Sequence, residues 1–135
     1  MKYVNPKSTT GCIIINKNKV LLVRRLRNPF KNYWCLPGGH AELFESLENA
    51  VRREIKEELN IKIKPKFLCF DQEIFKSLKW HANVFFFTSK SNGKIKIDNN
   101  ENSDFNFFSK NEIKSLKLAF NHKKILRKFF KNAKH

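Results

Sequence analysis

The order of patterns along this 135-residue chain predicts an α+β layered domain. Three observations carry that prediction. β-branched and apolar runs open the chain, a segment with separate acidic and apolar helical faces follows, and further strand-like runs precede a basic helical tail. No internal repeat, linker or low-complexity tract divides it, and the length suits one core, so residues 1–135 are expected to form a single domain.

The elements follow in order. Residues 10–15 are mostly β-branched and apolar, and residues 20–23 are apolar again. Asn16-Lys17-Asn18-Lys19 between them reads as a hairpin turn. Residues 24–32 form a basic connector, with Pro29 against regular structure in its middle. Tyr33-Trp34-Cys35-Leu36 leads into Pro37-Gly38-Gly39, a tight turn where glycine permits positive φ and close backbone approach. Ser46 suits a helix N-cap, and Leu47, Ala50, Val51 and Ile55 recur at helical spacing as a core-facing stripe. Asn60 ends that helix, being next to glycine in its tolerance of the left-handed region. Residues 67–70 and 83–88 read as strands, Ser91-Asn92-Gly93-Lys94 as a turn, and residues 94–97 alternate as a short strand would. Residues 105–108 are the last expected strand. A short helix over 112–118 and a basic amphipathic one over 122–131 complete the chain.

Composition narrows the class. Apolar content of 41% with fourteen Phe describes a globular protein. Cys12, Cys35 and Cys69 are odd in number and form no Cys-x-x-Cys pair, so neither zinc nor a disulfide framework is indicated. A reduced, cytoplasmic setting is the simplest reading. The N-terminus lacks the apolar stretch of a secretory signal, and no run approaches the roughly 20 apolar residues that span a bilayer, so no membrane partner is expected. The net charge of +16 has two readings: a surface that attracts polyanions such as RNA, or a Lys-, Asn-, Ile- and Phe-rich composition with its lysines in solvent. Either way a basic field raises the encounter rate with phosphorylated substrates.

The most informative stretch runs from Gly39 to Ile61. Glu54, Glu57 and Glu58, three and four apart, project from one helical face. Clustered carboxylates repel one another, which a hard cation offsets. Mg²⁺ suits such a set, since it keeps waters and takes its remaining ligands from substrate phosphate. The segment resembles the signature of the Nudix hydrolases. Gly39, Glu45, Arg53, Glu54, Ile55, Glu57, Glu58 and Ile61 all fall in register, and Asn60 stands where the family carries glycine. Alone, Arg-Glu-x-x-Glu-Glu is common on solvated helices, with pairs such as Glu48–Arg52 and Arg53–Glu57. The upstream Pro37-Gly38-Gly39 and Glu45 turn it into a metal-site motif.

The resemblance implies a mixed β-sheet sandwiched between helices, an α/β/α arrangement. It implies Mg²⁺, with Mn²⁺ as the alternative, held by Glu54, Glu57 and Glu58, one of which would also serve as general base. Arg53 belongs to the same catalytic set. A loop carbonyl from Gly38 or Gly39 would join the metal shell, and Arg53 with Glu45 would form an ion pair fixing the loop to the helix. A further carboxylate before a late strand corresponds here to Glu101 or Asp104, for which a solvated loop is the alternative. Glu42 is a site-edge residue or simply solvated. Arg24, Arg25, Arg27 and His40 are candidates for phosphate or base contacts. Trp34, Phe30 and Trp80 either stack on a base or pack in the core. His81, His122 and His135 lack metal-ligand spacing and read as surface or strand-edge residues.

Hydrolysis of a nucleoside diphosphate linked to another group is the implied activity. Branches acting on ADP-ribose or dinucleoside polyphosphates often carry Pro or Tyr near Ser77, where Phe75, Lys76 and Leu78 stand here. The approach Leu36-Pro37-Gly38-Gly39-His40 looks similar to nucleoside triphosphate pyrophosphatases, which inclines the reading to a (d)NTP. RNA 5′ ends, ADP-ribose or nucleotide sugars, and a non-catalytic nucleotide-sensing module are the alternatives. A homodimer would also fit the family. Glu57→Gln is expected to abolish turnover with the fold intact.

Overall fold

A computed structural model of the chain describes residues 5–91 and 93–132. Strands β1 (Lys7–Asn16) and β2 (Lys19–Arg25) form the hairpin, turning through Lys17 and Asn18, both at positive φ. Two such residues give a turn whose twist matches that of the strands it joins. β3 is the short Trp34–Cys35, and helix α1 spans Leu47–Leu59. β4 (Lys66–Phe75) and β5 (Trp80–Lys90) pair antiparallel around a 3₁₀ turn, Lys76–Leu78. β6 (Asn102–Phe108), α2 (Lys110–Lys114) and α3 (His122–Asn132) complete the order.

The sheet runs β3-β2-β1-β5-β4, with β6 on β2. β1 lies parallel to β5 and every other pairing is antiparallel, so the sheet is mixed. β1 and β2 pair only next to their turn, at Ile15–Val20 and Asn16–Lys19. Beyond that they part, and the segment after β3 is wedged between them. Its Pro37 and Gly39 carbonyls accept the Cys12 and Thr10 amides at 2.9 and 2.8 Å.

Alternation along β1 and β2 sends side chains to both faces. Cys12, Ile14, Leu21 and Val23 pack beneath α1 with Val51, Ile55 and Leu59, while Ile13, Val20 and Leu22 pack with Ile125 and Leu126 of α3. Burial on both faces explains why these two strands read as nearly continuous apolar runs. Each fully buried Leu, Ile or Val contributes about 1.5–3 kcal/mol, so the sheet is held by helices on both sides. This is the expected α/β/α sandwich. Ser46 caps α1, its side chain accepting the Asn49 amide at 3.1 Å, and Asn60 closes it at φ 57°.

Several boundaries differ from the sequence expectation. Residues 94–97 form no strand; the Lys96 and Asp98 amides donate to the Leu59 and Glu58 carbonyls at 2.9 and 2.8 Å. The alternation there reflects Ile95 packing under α1 while its neighbours satisfy the helix's last carbonyls. The short helix expected at 112–118 is Lys110–Lys114 instead, because Ser109 and Glu112 form a capping box that sets its start. β4 runs past residue 70 to Phe75, and β5 starts at Trp80. Asn92 and His135, named above in a turn and among the histidines, lie outside the described residues.

Candidate active site

The wedge and the signature helix meet edge to edge. Gly38 has φ 149°, and a Cβ there would run into the Thr10 carbonyl oxygen of β1. At Gly39 a Cβ would strike the Glu54 carboxylate. Glycine is therefore required at Gly38 by its φ and its approach to the sheet backbone, whereas at Gly39 a side chain would displace the Glu54 carboxylate from the acidic face of α1.

Arg53 fastens loop to helix. Its Nε and Nη2 donate to Glu45 Oε2 and Oε1 at 2.7 and 2.9 Å, a bidentate pair. Nη2 also donates to the His40 carbonyl at 3.0 Å, and Nη1 to Glu54 Oε1 at 2.9 Å. The Arg53 hydrogen bonds hold the Glu45 carboxyl down at about 2. The expected ion pair is thus present, and it reaches Glu54 as well.

Three carboxylates converge beside the wedge. Oxygens of Glu54, Glu58 and Glu101 all lie within 4.8 Å of one another. Glu54 and Glu58 are one turn apart on α1, whereas Glu101 arrives from the loop before β6, its carbonyl accepting the Leu26 amide at 3.1 Å. Glu58 is 6% exposed, and its Oε2 accepts the Gly38 amide at 3.1 Å. Burial, then the charges of Glu101 and Glu54, pushes its carboxyl well above the usual range. Burial raises Glu54 too, against the pull of Arg53. Three hard oxygen donors that repel one another fit a divalent cation of the Mg²⁺ type. Gly39 O already accepts both the Thr10 amide and hydroxyl, at 2.8 and 3.0 Å, so of the two glycine carbonyls that of Gly38 is the better placed to join them.

Other candidates fall on different sides of this centre. Glu57 stands outside the three-carboxylate group, 58% exposed, with Oε2 3.3 Å from Arg53 Nη1. Glu42 is exposed and 3.9 Å from the same nitrogen. Asp104 accepts the Phe105 amide at 2.8 Å and lies on β6 opposite Arg24. Arg24 bonds the Asn32 carbonyl at 3.1 Å and does not line the cleft. Arg25 and Arg27 do line it, with Arg25 held on the Pro29 carbonyl at 2.9 Å and over the Phe120 ring at 4.9 Å. His40 lines it as well, its Nδ1 2.7 Å from Thr9 Oγ1. Trp34 is a packing residue against Phe108, and Phe30 packs on Tyr33 and Phe120.

The cleft, of ≈ 360 Å³, runs from the carboxylates under Gly38 and Gly39 to Glu73, Trp80 and His122. His122 is not the surface residue expected. It is buried, and its Nδ1 accepts the Leu36 amide at 3.0 Å. Helical spacing with Ile125, Leu126 and Phe129 was the signal that places it inward. Burial lowers its pKa to about 3. Glu73 had no signal: it sits on β4 between exposed neighbours, yet is 2% exposed, with its carboxyl pushed up to about 7 by burial. Asn102, after Glu101, is a further buried cleft residue whose Nδ2 has no partner among the described residues. The three cysteines are free. No helix among the described residues is long and apolar enough to cross a membrane.

Residues 5–129 match the NUDIX domain, and the chain belongs to the Nudix hydrolase family. It is a Nudix-type pyrophosphohydrolase. It is similar to an ADP-ribose pyrophosphatase of Methanocaldococcus jannaschii, 34% identical over 96% of this chain and 76% of that one. An 8-oxo-dGTP diphosphatase of Buchnera aphidicola is 31% identical over 70% of each. Among solved structures, a MutT NUDIX hydrolase from Burkholderia pseudomallei superposes with a TM-score of 0.84 at 26% identity, over 92% of this chain and 98% of that one. Other curated relatives are matched over far less of their own length, such as 26% of a Danio rerio 8-oxo-dGDP phosphatase and 35% of a Pelagibacter ubique RNA pyrophosphohydrolase.

Proposed function

We propose that this chain hydrolyses the pyrophosphate bond of a nucleoside diphosphate linked to a second group, with (d)NTPs as its first substrate class. The observation that carries this is the convergence of Glu54, Glu58 and Glu101 from two separate segments at one end of a nucleotide-sized cleft. These residues, with Gly38 O and Glu57, would hold Mg²⁺ or Mn²⁺; Glu57 is retained for its place in the signature. When bound, the ion supplies charge neutralisation on the phosphates and activation of water. Arg53 and Glu45 keep Glu54 aimed at the cleft through the hydrogen bonds described, and one of Glu54, Glu57 and Glu58 takes the proton of the attacking water. Arg25, Arg27 and His40 line the cleft and are assigned to the substrate. The water oxygen bonds to phosphorus, the anhydride P–O bond breaks, and a (d)NTP yields a nucleoside monophosphate and pyrophosphate.

ADP-ribose is the second reading, favoured by the Methanocaldococcus relative that matches nearly the whole chain. RNA 5′ ends are a third arm of the test, motivated by the +16 charge. We also infer one domain over residues 1–135, supported by the family match over 5–129, and a cytoplasmic protein, supported by its free cysteines. Oligomeric state is measured alongside, a homodimer being the family-based expectation.

The test is product analysis with Mg²⁺ on a panel of (d)NTPs, ADP-ribose, nucleotide sugars, dinucleoside polyphosphates and 5′-triphosphate RNA. Wild type should release pyrophosphate from a triphosphate class, and Glu58→Gln should not. Nucleotide binding without any cleavage would replace the hydrolase reading with a sensing module.

A further inference from the structure

The far end of the cleft holds a polar group left incomplete by the fold. Glu73 Oε1 accepts the Trp80 indole N–H at 3.0 Å, while Oε2 has no hydrogen-bond partner among the described residues. Its neighbour, His122 Nε2, is 3.6 Å away, too long for a hydrogen bond. The Leu36 amide occupies His122 Nδ1, which makes that nitrogen the acceptor and leaves the imidazole proton on Nε2. A neutral histidine cannot balance the carboxylate as an ion pair. Buried acceptors of this kind are rare because each forgoes the hydrogen bonds it had in water.

The surroundings describe what would complete it. Trp80 lies tilted against Phe120, with ring centres 5.0 Å apart, and His40 approaches its ring at 6.0 Å. All three line the cleft with Glu73. Leu36 and Gly38, two residues apart in the wedge, donate to His122 and to Glu58, so one segment ties the aromatic end to the acidic end.

We propose that Glu73, Trp80 and His122 form a nucleobase subsite in which Glu73 Oε2 accepts a hydrogen bond from the exocyclic amino group of a purine. This rests on the nucleotide hydrolase reading and deepens it. Trp80, packed against Phe120, supplies an aromatic edge of the subsite, and its N–H takes Glu73 Oε1 and so leaves Oε2 as the oxygen for the base. An amino group meets that oxygen as a donor. A carbonyl at the same ring position would place two acceptors together.

Because Trp80 requires an oxygen opposite its N–H, Glu73→Gln turns its amide NH₂ toward the base. The variant therefore separates recognition from damage. Binding of AMP, GMP and IMP is measured by calorimetry in Mg²⁺ above pH 7, where the Glu73 carboxyl is ionised, on wild type and Glu73→Gln, with turnover of (d)NTPs and ADP-ribose followed in parallel. Wild type should prefer AMP or GMP over IMP by roughly 10-fold or more. Glu73→Gln should abolish or reverse that preference. A loss common to all three nucleotides, a preference that survives in the variant, no discrimination, or no nucleotide binding overturns the proposal. Turnover without base discrimination would overturn it while leaving the hydrolase reading standing. Discrimination without turnover would do the converse. If Glu73→Gln does not fold, Trp80→Phe carries the test: it keeps the ring and releases the carboxylate, and the preference should fall several-fold.

Discussion

The two ends of the cleft are incomplete in opposite ways. At the acidic end, Glu54, Glu58 and Glu101 crowd together with more negative charge than Arg53 balances. At the aromatic end, one carboxylate is buried under Trp80 with an oxygen unpaired. The first set lacks a cation and the second lacks a hydrogen-bond donor. A phosphate-bearing ligand with its metal and an amino-bearing base would supply both. The ends also differ in rigidity. The acidic end is pinned by the bidentate Arg53–Glu45 pair and two glycines at close approach, whereas Glu73 is fixed by one side-chain hydrogen bond.

Substitutions can separate the ends. Glu58→Gln should have the largest effect, a loss of roughly 10³-fold in kcat/KM, equivalent to about 4 kcal/mol of transition-state stabilisation. Thermal melting should show the variant folded, since the amide keeps an acceptor for Gly38. If the acidic end is a solvated helix face instead, kcat/KM will barely move.

The aromatic end should instead reveal itself through pH. Burial raises the Glu73 carboxyl from 4.5 to about 7. The native state thus holds this proton more tightly than the unfolded chain. Its contribution to stability is fully present below pH 4.5 and is lost as pH rises to about 7. The loss amounts to about 3 kcal/mol. His122, held down at about 3, stays neutral across that window. Melting curves of ligand-free protein should therefore show wild type losing stability from pH 5 to pH 8 relative to Glu73→Gln. Parallel curves would mean that Glu73 is solvated.

Arg53→Lys keeps the charge but loses the fork that grips Glu45 and Glu54 together. Turnover should fall roughly 10–100-fold, as for other residues that orient a ligand, with AMP/IMP discrimination unchanged; loss of both would show the ends to be coupled. Smallest of all is Asn60→Gly, remote from the base subsite. It should stabilise by up to about 1 kcal/mol, because glycine adopts φ 57° without strain, and leave activity alone. Chemical denaturation reads the first and initial rates the second.

The difference between the ends also explains what was legible in the sequence. The acidic end is mostly local: Gly39, Glu45, Arg53, Glu54 and Glu58 lie within one loop and one helix, where spacing put Glu54, Glu57 and Glu58 on one face and the family resemblance brought in the loop, although Glu57 stands outside the three-carboxylate group. β1, β2 and α1 were legible for the same reason, each having a clear period. Glu101 is distant, and only the β6 pairing with β2 decides that it, rather than Asp104, reaches the metal face. The aromatic end is wholly nonlocal. Glu73 becomes buried through its pairing with Ala82 on β5 and the approach of His122 from α3, neither of which has a local signature. Residues 94–97 misled because half-buried Ile95 and Ile97 between exposed lysines imitate the alternation of a strand.

Glu101 gives the most direct test, because among the described residues it is the carboxylate of the acidic group that comes from outside the signature helix. Mn²⁺ binding by electron paramagnetic resonance and Mg²⁺-dependent turnover should be measured on wild type and Glu101→Gln. A shared metal site predicts that both fall together, by roughly 10-fold or more, with the melting temperature maintained. Unchanged Mn²⁺ affinity and turnover would contradict the three-carboxylate centre on which the account stands.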